Sequence, residues 1–219
     1  MKNAQLVTET IKNQGILPLY FNADEIVSVE ILKAVYKAGI KAIEYTSRGE
    51  TAFANFKKLI AVRNQEMPDL LIGIGTVKNL KQSEAYLSIG ADFLVSPGFV
   101  HEIAEYAVAN NIFYAPGCMT PTEIIAAENI GLEFIKLFPG NILGVEFMST
   151  IKDVFPKLNF MPTGGVDATK ESIEKWFKAG VCAVGMGSKL ISKTLMEEQN
   201  YSQIQSDTVA VLNIIKSIK

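Results

Sequence analysis

The chain has 219 residues, 48% of them hydrophobic, and a formal net charge of −2, enough apolar material for a substantial core. Lys and Arg are scattered, so the electrostatic footprint of a nucleic-acid or anionic-membrane binder is missing and a small molecule is the expected partner. Cys118, Cys182 and the lone His101 cannot by themselves make a disulfide framework or a four-ligand zinc site. The N-terminus is polar and no apolar run approaches the roughly 18 residues of a membrane span, so a soluble protein of the reducing cytoplasm is expected, with no cofactor.

After a short N-terminal helix, apolar runs too short for helices recur: ILPLYF (16–21), KAIEYT (41–46), LLIGIGT (70–76), DFLVSPG (92–98), IFYAPG (112–117), EFIKLFPG (133–140), LNFMPTGG (158–165) and CAVGMGS (182–188). The last four each end in Gly, Pro, Thr or Ser, where a loop should begin. The intervening stretches 24–37, 51–65, 79–88, 101–110, 122–129, 145–154 and 169–178 carry apolar residues at three- and four-residue spacing, as helices do. Gly39, Gly90, Gly131 and Gly180 sit just past helical runs, where a residue tolerant of positive φ commonly ends a helix. Helices between buried strands imply right-handed parallel crossovers. Eight such units predict an α/β fold, a closed (β/α)8 barrel with an extra N-terminal helix, in one domain over 1–219. The rival is an open doubly wound sheet, but no GxGxxG follows the first strand and the Gly-rich strand ends come last.

Catalytic residues of such barrels lie at the carboxyl ends of strands, which directs attention to polar residues inside apolar runs. Lys136 lies in FIKLF, where alternation puts Phe134, Lys136 and Phe138 on one face and Ile135 and Leu137 on the other. An inward lysine would be desolvated, its amine made neutral and nucleophilic; a lysine snorkelling from a strand end or paired with a buried acid is the competing reading. Glu44, in AIEYTSR, shares a face with Thr46 and Arg48. A desolvated Glu can move protons and an Arg can clamp a carboxylate, although the two could simply pair with each other or with Lys136. PTGG (162–165) and GMGS (185–188) end the last two strands, where backbone N–H groups frequently cradle a phosphate; ordinary tight turns are the alternative. Thr76, ending GIGT, is suited to a carboxylate. SPG (96–98) and APG (115–117) shape the mouth, His101 reads as a surface or capping residue, and Cys118 has no partner motif.

With these residues in view, the sequence resembles the class I 2-keto-3-deoxy-6-phosphogluconate (KDPG) and 4-hydroxy-2-oxoglutarate (KHG) aldolase family. IEYTSR, GIGT, SPG, APGCMTPTE, IKLFPG, MPTGGV and GMGS occur in the family's order, and IKLFPG followed by PTGG is the most specific part. The resemblance implies that Lys136 forms a Schiff base and that Glu44 is the general acid/base. It implies that Arg48 and Thr76 hold the pyruvyl carboxylate region and that Pro97 and Phe138 line the pocket. Gly164, Gly165, Gly187 and Ser188 would serve the substrate phosphate, with Thr163 near the specificity-determining end. A homotrimer without metal is also implied. Some relatives carry an arginine near the end of the first strand, where this chain has Tyr20, Phe21 and Asn22.

The expected activity is cleavage of KDPG to pyruvate and glyceraldehyde 3-phosphate, with KHG a further candidate substrate. The phosphogalactonate epimer is the closest alternative. A non-catalytic phosphosugar-binding barrel and a metal-dependent aldolase are the alternatives of other classes.

Overall fold

The structure is a computed structural model and describes residues 3–219. Strands β1 (Ile16–Tyr20), β2 (Ala42–Thr46), β3 (Leu71–Gly75), β4 (Leu94–Val95) and β5 (Tyr114–Ala115) form, with β9 (Val184–Met186), a parallel sheet in the order β5-β4-β3-β2-β1-β9. Strands β6 (Gly117–Cys118), β7 (Phe134–Leu137) and β8 (Asn159–Pro162) form a second parallel sheet in that order. The result is an α/β fold whose parallel strands curve into a half-barrel. Pro116 alone separates β5 from β6; proline has no N–H to give a ladder, but its carbonyl accepts from Lys136 N at 3.0 Å. One parallel bridge, Thr163 to Gly185, joins the end of β8 to β9.

Helix α1 (Ala4–Gln14) precedes the strands. Helices α2 (Glu25–Lys37), α3 (Ala52–Glu66), α4 (Leu80–Ser88), α5 (His101–Ala109), α6 (Pro121–Ile130), α7 (Gly140–Val154), α8 (Lys170–Lys178), α9 (Lys193–Glu197) and α10 (Tyr201–Ile218) complete the chain. Their starts follow local chemistry: Asp24, Asn79 and Thr169 accept backbone N–H groups, and Thr120 with Glu123 makes a capping box. Helix α7 begins five residues before the expected start, at Gly140, yet Gly144 (φ 76°, ψ 173°) interrupts it, and the second piece starts at Val145 where the periodicity places it. Helices α9 and α10 extend beyond the predicted elements, and α10 packs on α2 and α8 through Ile204, Val211 and Ile215. No described helix is long and apolar enough to cross a membrane.

Strand alternation sorts the core into two clusters. Ile43, Tyr45, Ile72, Ile74, Ile135 and Leu137 pack under the helices. Leu17, Ala42, Leu71, Phe93, Val95, Phe113, Phe134 and Met161 fill the interior, closed from below by Val7 and Ile11 of α1. The expected division of β7, with Ile135 and Leu137 toward the helices, is therefore what the packing shows.

One buried ion pair ties this frame together. Arg63 Nη1 meets Asp92 Oδ2 at 2.5 Å, and the guanidinium also donates to the carbonyls of Leu70 and Gly90. The same carboxylate oxygen accepts from Ile72 N at 2.9 Å, so α3, β3 and the turn before β4 share one charged node. Replacing a single partner leaves a buried charge uncompensated. Asp92→Ala should lower unfolding free energy by about 3–5 kcal/mol, whereas Arg63→Met/Asp92→Leu should lose much less than the sum of the single losses, as read by urea denaturation.

Candidate active site

Strands β2 and β7 each carry one ionisable residue to the interior. Glu44 follows Ala42 on the inner face of β2, and Lys136 follows Phe134 on that of β7. Glu44 is 1% exposed and Lys136 5%. Neither Glu44 carboxylate oxygen has a hydrogen-bond partner, Lys136 included. Burial holds the Glu44 carboxyl above its ordinary value, with the charges of Lys136 and Arg48 pulling it back. Burial likewise pushes the Lys136 amine below its ordinary value; Glu44 opposes that shift and Arg48 adds to it. Both groups are thereby biased toward their neutral forms. The Lys136 ammonium position lies 5.1 Å from the centroid of the Phe138 ring.

The continuations of these strands wall a cavity of about 310 Å³, which takes in Thr46, Arg48, Phe138, Thr163, Gly164, Gly165, Gly187 and Ser188. That is the size of a small-ligand site. Glu44 and Lys136 are not part of its wall. A larger cleft of about 430 Å³ lies between α1 and the starts of β7 and β8, and contains none of these residues.

The two glycine-rich strand ends are built to expose backbone. Gly164 and Gly165 take φ of 92° and 74°, conformations that L side chains rarely adopt, and a Cβ on Gly165 would fall 2.3 Å from Asn141 Cβ. Among the described residues, the N–H groups of Gly164, Gly165 and Ser188 donate to no protein acceptor. Several such donors converging on a cavity wall suit an anion. Thr163 Oγ1, also buried, is unpartnered.

Of the residues expected from sequence, Thr76 and Pro97 stand apart from the cavity wall. Thr76 is half-buried with a φ of 64°, an outlier for a β-branched residue. The Pro97 carbonyl is pressed against Gly117, where a Cβ would come within 2.3 Å of its oxygen. Conversely, Leu19, Lys189, Lys193 and Met196 line the cavity without having been singled out, and Tyr20 and Phe21, which stand where some relatives carry an arginine, line it too. Lys189 directly follows GMGS, and its ion pair with Asp167 at 2.8 Å spans the two glycine loops; its place after the motif was the available signal. Lys193 and Met196 belong to α9, which no strand or glycine pattern announces.

A model of the KDPG and KHG aldolase family matches residues 7–206. The chain is 32% identical to the 2-dehydro-3-deoxy-phosphogluconate aldolase of Dickeya dadantii over 206 residues, 93% of this chain and 94% of that relative. It is 29% identical to the KHG/KDPG aldolase of Escherichia coli K12, also over 206 residues and with the same coverage of 93% and 94%. Among solved structures it is similar to the KDPG aldolase of Legionella pneumophila with pyruvate captured as a covalent carbinolamine intermediate. That comparison has a TM-score of 0.84 and 28% identity over 92% of this chain and 96% of the other.

The electrostatics of the interior give a signed test. Glu44 raises the affinity of Lys136 for its proton and Arg48 lowers it. Glu44→Gln should therefore move the Lys136 titration to lower pH and Arg48→Gln to higher pH, read by NMR of the lysine Cε resonance. Shifts of the same sign would contradict this arrangement.

Proposed function

The chain belongs to the KDPG and KHG aldolase family, and from that premise we propose that it is a Schiff-base aldolase cleaving 2-keto-3-deoxy-6-phosphogluconate to pyruvate and glyceraldehyde 3-phosphate. The observation that carries the reading is a desolvated amine and an unpartnered carboxyl, Lys136 and Glu44, in one interior beside a cavity rimmed by free backbone donors. A purely structural lysine would be expected to sit in contact with its acid. A passive phosphosugar-binding site would have no use for either group.

In this reading the two sheets are one closed (β/α)8 barrel in a single domain over 1–219, with α1 as the extra N-terminal helix. Strands β5 and β6 are then one strand broken at Pro116, and the Thr163 to Gly185 bridge is the closing seam. The resemblance adds a homotrimer working in the cytoplasm; light scattering reads the trimer.

Lys136 Nζ attacks the C2 ketone, and loss of water from the carbinolamine leaves an iminium that serves as electron sink. Glu44, through a water, takes the C4 hydroxyl proton as the C3–C4 bond breaks. The bonding electrons pass to C3 and the iminium, forming an enamine and releasing the aldehyde. Glu44 returns a proton to C3, and hydrolysis of the imine frees pyruvate and Lys136. Arg48 and Thr76 take the pyruvyl carboxylate and Pro97 and Phe138 the apolar flank. Gly164, Gly165, Gly187 and Ser188 hold the phosphate, with Thr163 at the distal, specificity-determining end. No step requires a metal, so activity should survive EDTA.

Substrate breadth follows from the same arrangement. Carboxylate, ketone and C4 hydroxyl are common to KDPG, its galactonate epimer and unphosphorylated KHG, and only the first two use the glycine cradle. Borohydride with pyruvate should add one irreversible adduct at Lys136, located by peptide mass spectrometry; a folded protein left unmodified would sink the mechanism. Glu44→Gln should lower kcat by about 10²–10⁴-fold. Steady-state comparison of the three substrates should give the highest kcat/KM with KDPG. Ser188→Ala should raise KM for KDPG roughly tenfold, the scale of a hydrogen bond to a charged group, and leave KM for KHG unchanged.

A further inference from the structure

Among the described residues, the buried side-chain polar atoms that lack a partner are the two carboxylate oxygens of Glu44 and the hydroxyl of Thr163. Each lies against a glycine of the adjacent strand. A Cβ added to Gly75 on β3 would stand 1.8 Å from Glu44 Oε1, 2.5 Å from Cδ and 2.8 Å from Cγ. A Cβ added to Gly185 on β9 would stand 2.2 Å from Thr163 Oγ1. Real Cβ contacts do not come so close, so any side chain at either position must displace the polar group beside it.

Backbone conformation does not account for these glycines. Gly75 and Gly185 are absent from the positive-φ residues, and glycine inside a strand costs roughly 0.5–1 kcal/mol relative to alanine. Register explains the contact instead. Glu44 pairs with Gly73 and Thr46 with Gly75, so Glu44 leans one diagonal step toward the carboxyl end, over Gly75. Thr163 pairs directly with Gly185.

We propose that Gly75 and Gly185 are positioning residues, whose missing side chains hold the Glu44 carboxylate and the Thr163 hydroxyl unpartnered and turned toward the site. The role of Gly75 rests on the proton-transfer assignment of Glu44. The three nearest atoms to its added Cβ all belong to Glu44, which makes the substitution a probe of that carboxylate. Lys136 neighbours Gly117 and Met161 in register, so the amine is left in place.

The test is a cycle of Gly75→Ala, Glu44→Ala and the double variant, with Gly73→Ala as control because its Cβ would meet the Phe93 ring at 2.0 Å. Gly75→Ala should lower kcat at least about 100-fold, the scale of a 1 Å misplacement, with KM changed less than about threefold and pyruvate still trapped at Lys136 by borohydride. Its Tm should fall, and the Glu44→Ala background should remove that fall, while the loss in Gly73→Ala should persist there. In the Glu44→Ala background Gly75→Ala should cause no further loss of activity. Should Gly75→Ala alone fail to fold, folding of the double variant carries the same support. A Tm loss that adds to that of Glu44→Ala, or a Gly75→Ala enzyme with unaltered kcat, would overturn the proposal. If the unsubstituted enzyme traps no pyruvate, the Schiff-base reading fails, and the Tm cycle still decides the steric one.

Discussion

Lys136 and Glu44 are buried in the same interior and kept from touching, and the rest of the site is organised around that separation. A contact pair would stabilise both charges and yield an inert ion pair. Held apart, each is governed by desolvation: the amine is driven toward its nucleophilic form and the carboxyl toward its protonated one. Each still feels the other through the interior. Proton transfer at the site would therefore be coupled, because whichever group gains or loses charge resets the proton affinity of its neighbour.

Keeping water from collapsing this arrangement requires an apolar floor. Phe93, Phe113 and Phe134 stack edge to face beneath the polar pair, with centroids 5.8 and 5.0 Å apart, a favourable aromatic geometry. Val7 and Ile11 of α1 close the layer below. Large side chains thus occupy the amino half of the interior. Above them come Ala115, Gly73, Gly75 and Gly185, small enough to leave Glu44, Lys136 and Thr163 their room. The change from large to small along the strands defines where substrate could enter.

Much of this was legible from the chain because it depends on local periodicity. The inward direction of Lys136 followed from Ile135 and Leu137, and the helix starts near Asp24, Asn79 and Thr169 from the spacing of apolar residues, whereas the capping box at Thr120 lay two residues before the expected start at 122. Features that depend on neighbours in space were not legible. Nothing near Gly75 in sequence reveals that Glu44, about thirty residues away, leans across it. Lys193 and Met196 reach the cavity because α9 folds back over the end of β1, where Asn22 approaches the Met196 sulfur at 3.8 Å. The periodicity places the helix start at Val145, just past the break at Gly144, and it was the short piece from Gly140 that no spacing announced.

The two ends of the strands resolve opposing demands differently. At the amino end polar groups are saturated. The Gln14 amide donates to the carbonyls of Ile16 and Ala42 and accepts from Lys41 N and Ala42 N, at distances of 2.6 to 3.1 Å. The Arg63–Asp92 node satisfies its own neighbourhood as fully. At the carboxyl end the unfavourable features accumulate: a carboxyl without a partner, a desolvated amine, Thr76 in a left-handed conformation and glycines inside strands. Each such feature lowers stability, by about 1–3 kcal/mol for backbone strain of this kind. They persist because the frame below over-determines their positions. A substitution that relaxes the carboxyl end should therefore make the protein more stable and less competent, whereas one at the amino end should cost stability and leave the chemistry of the surviving folded molecules intact.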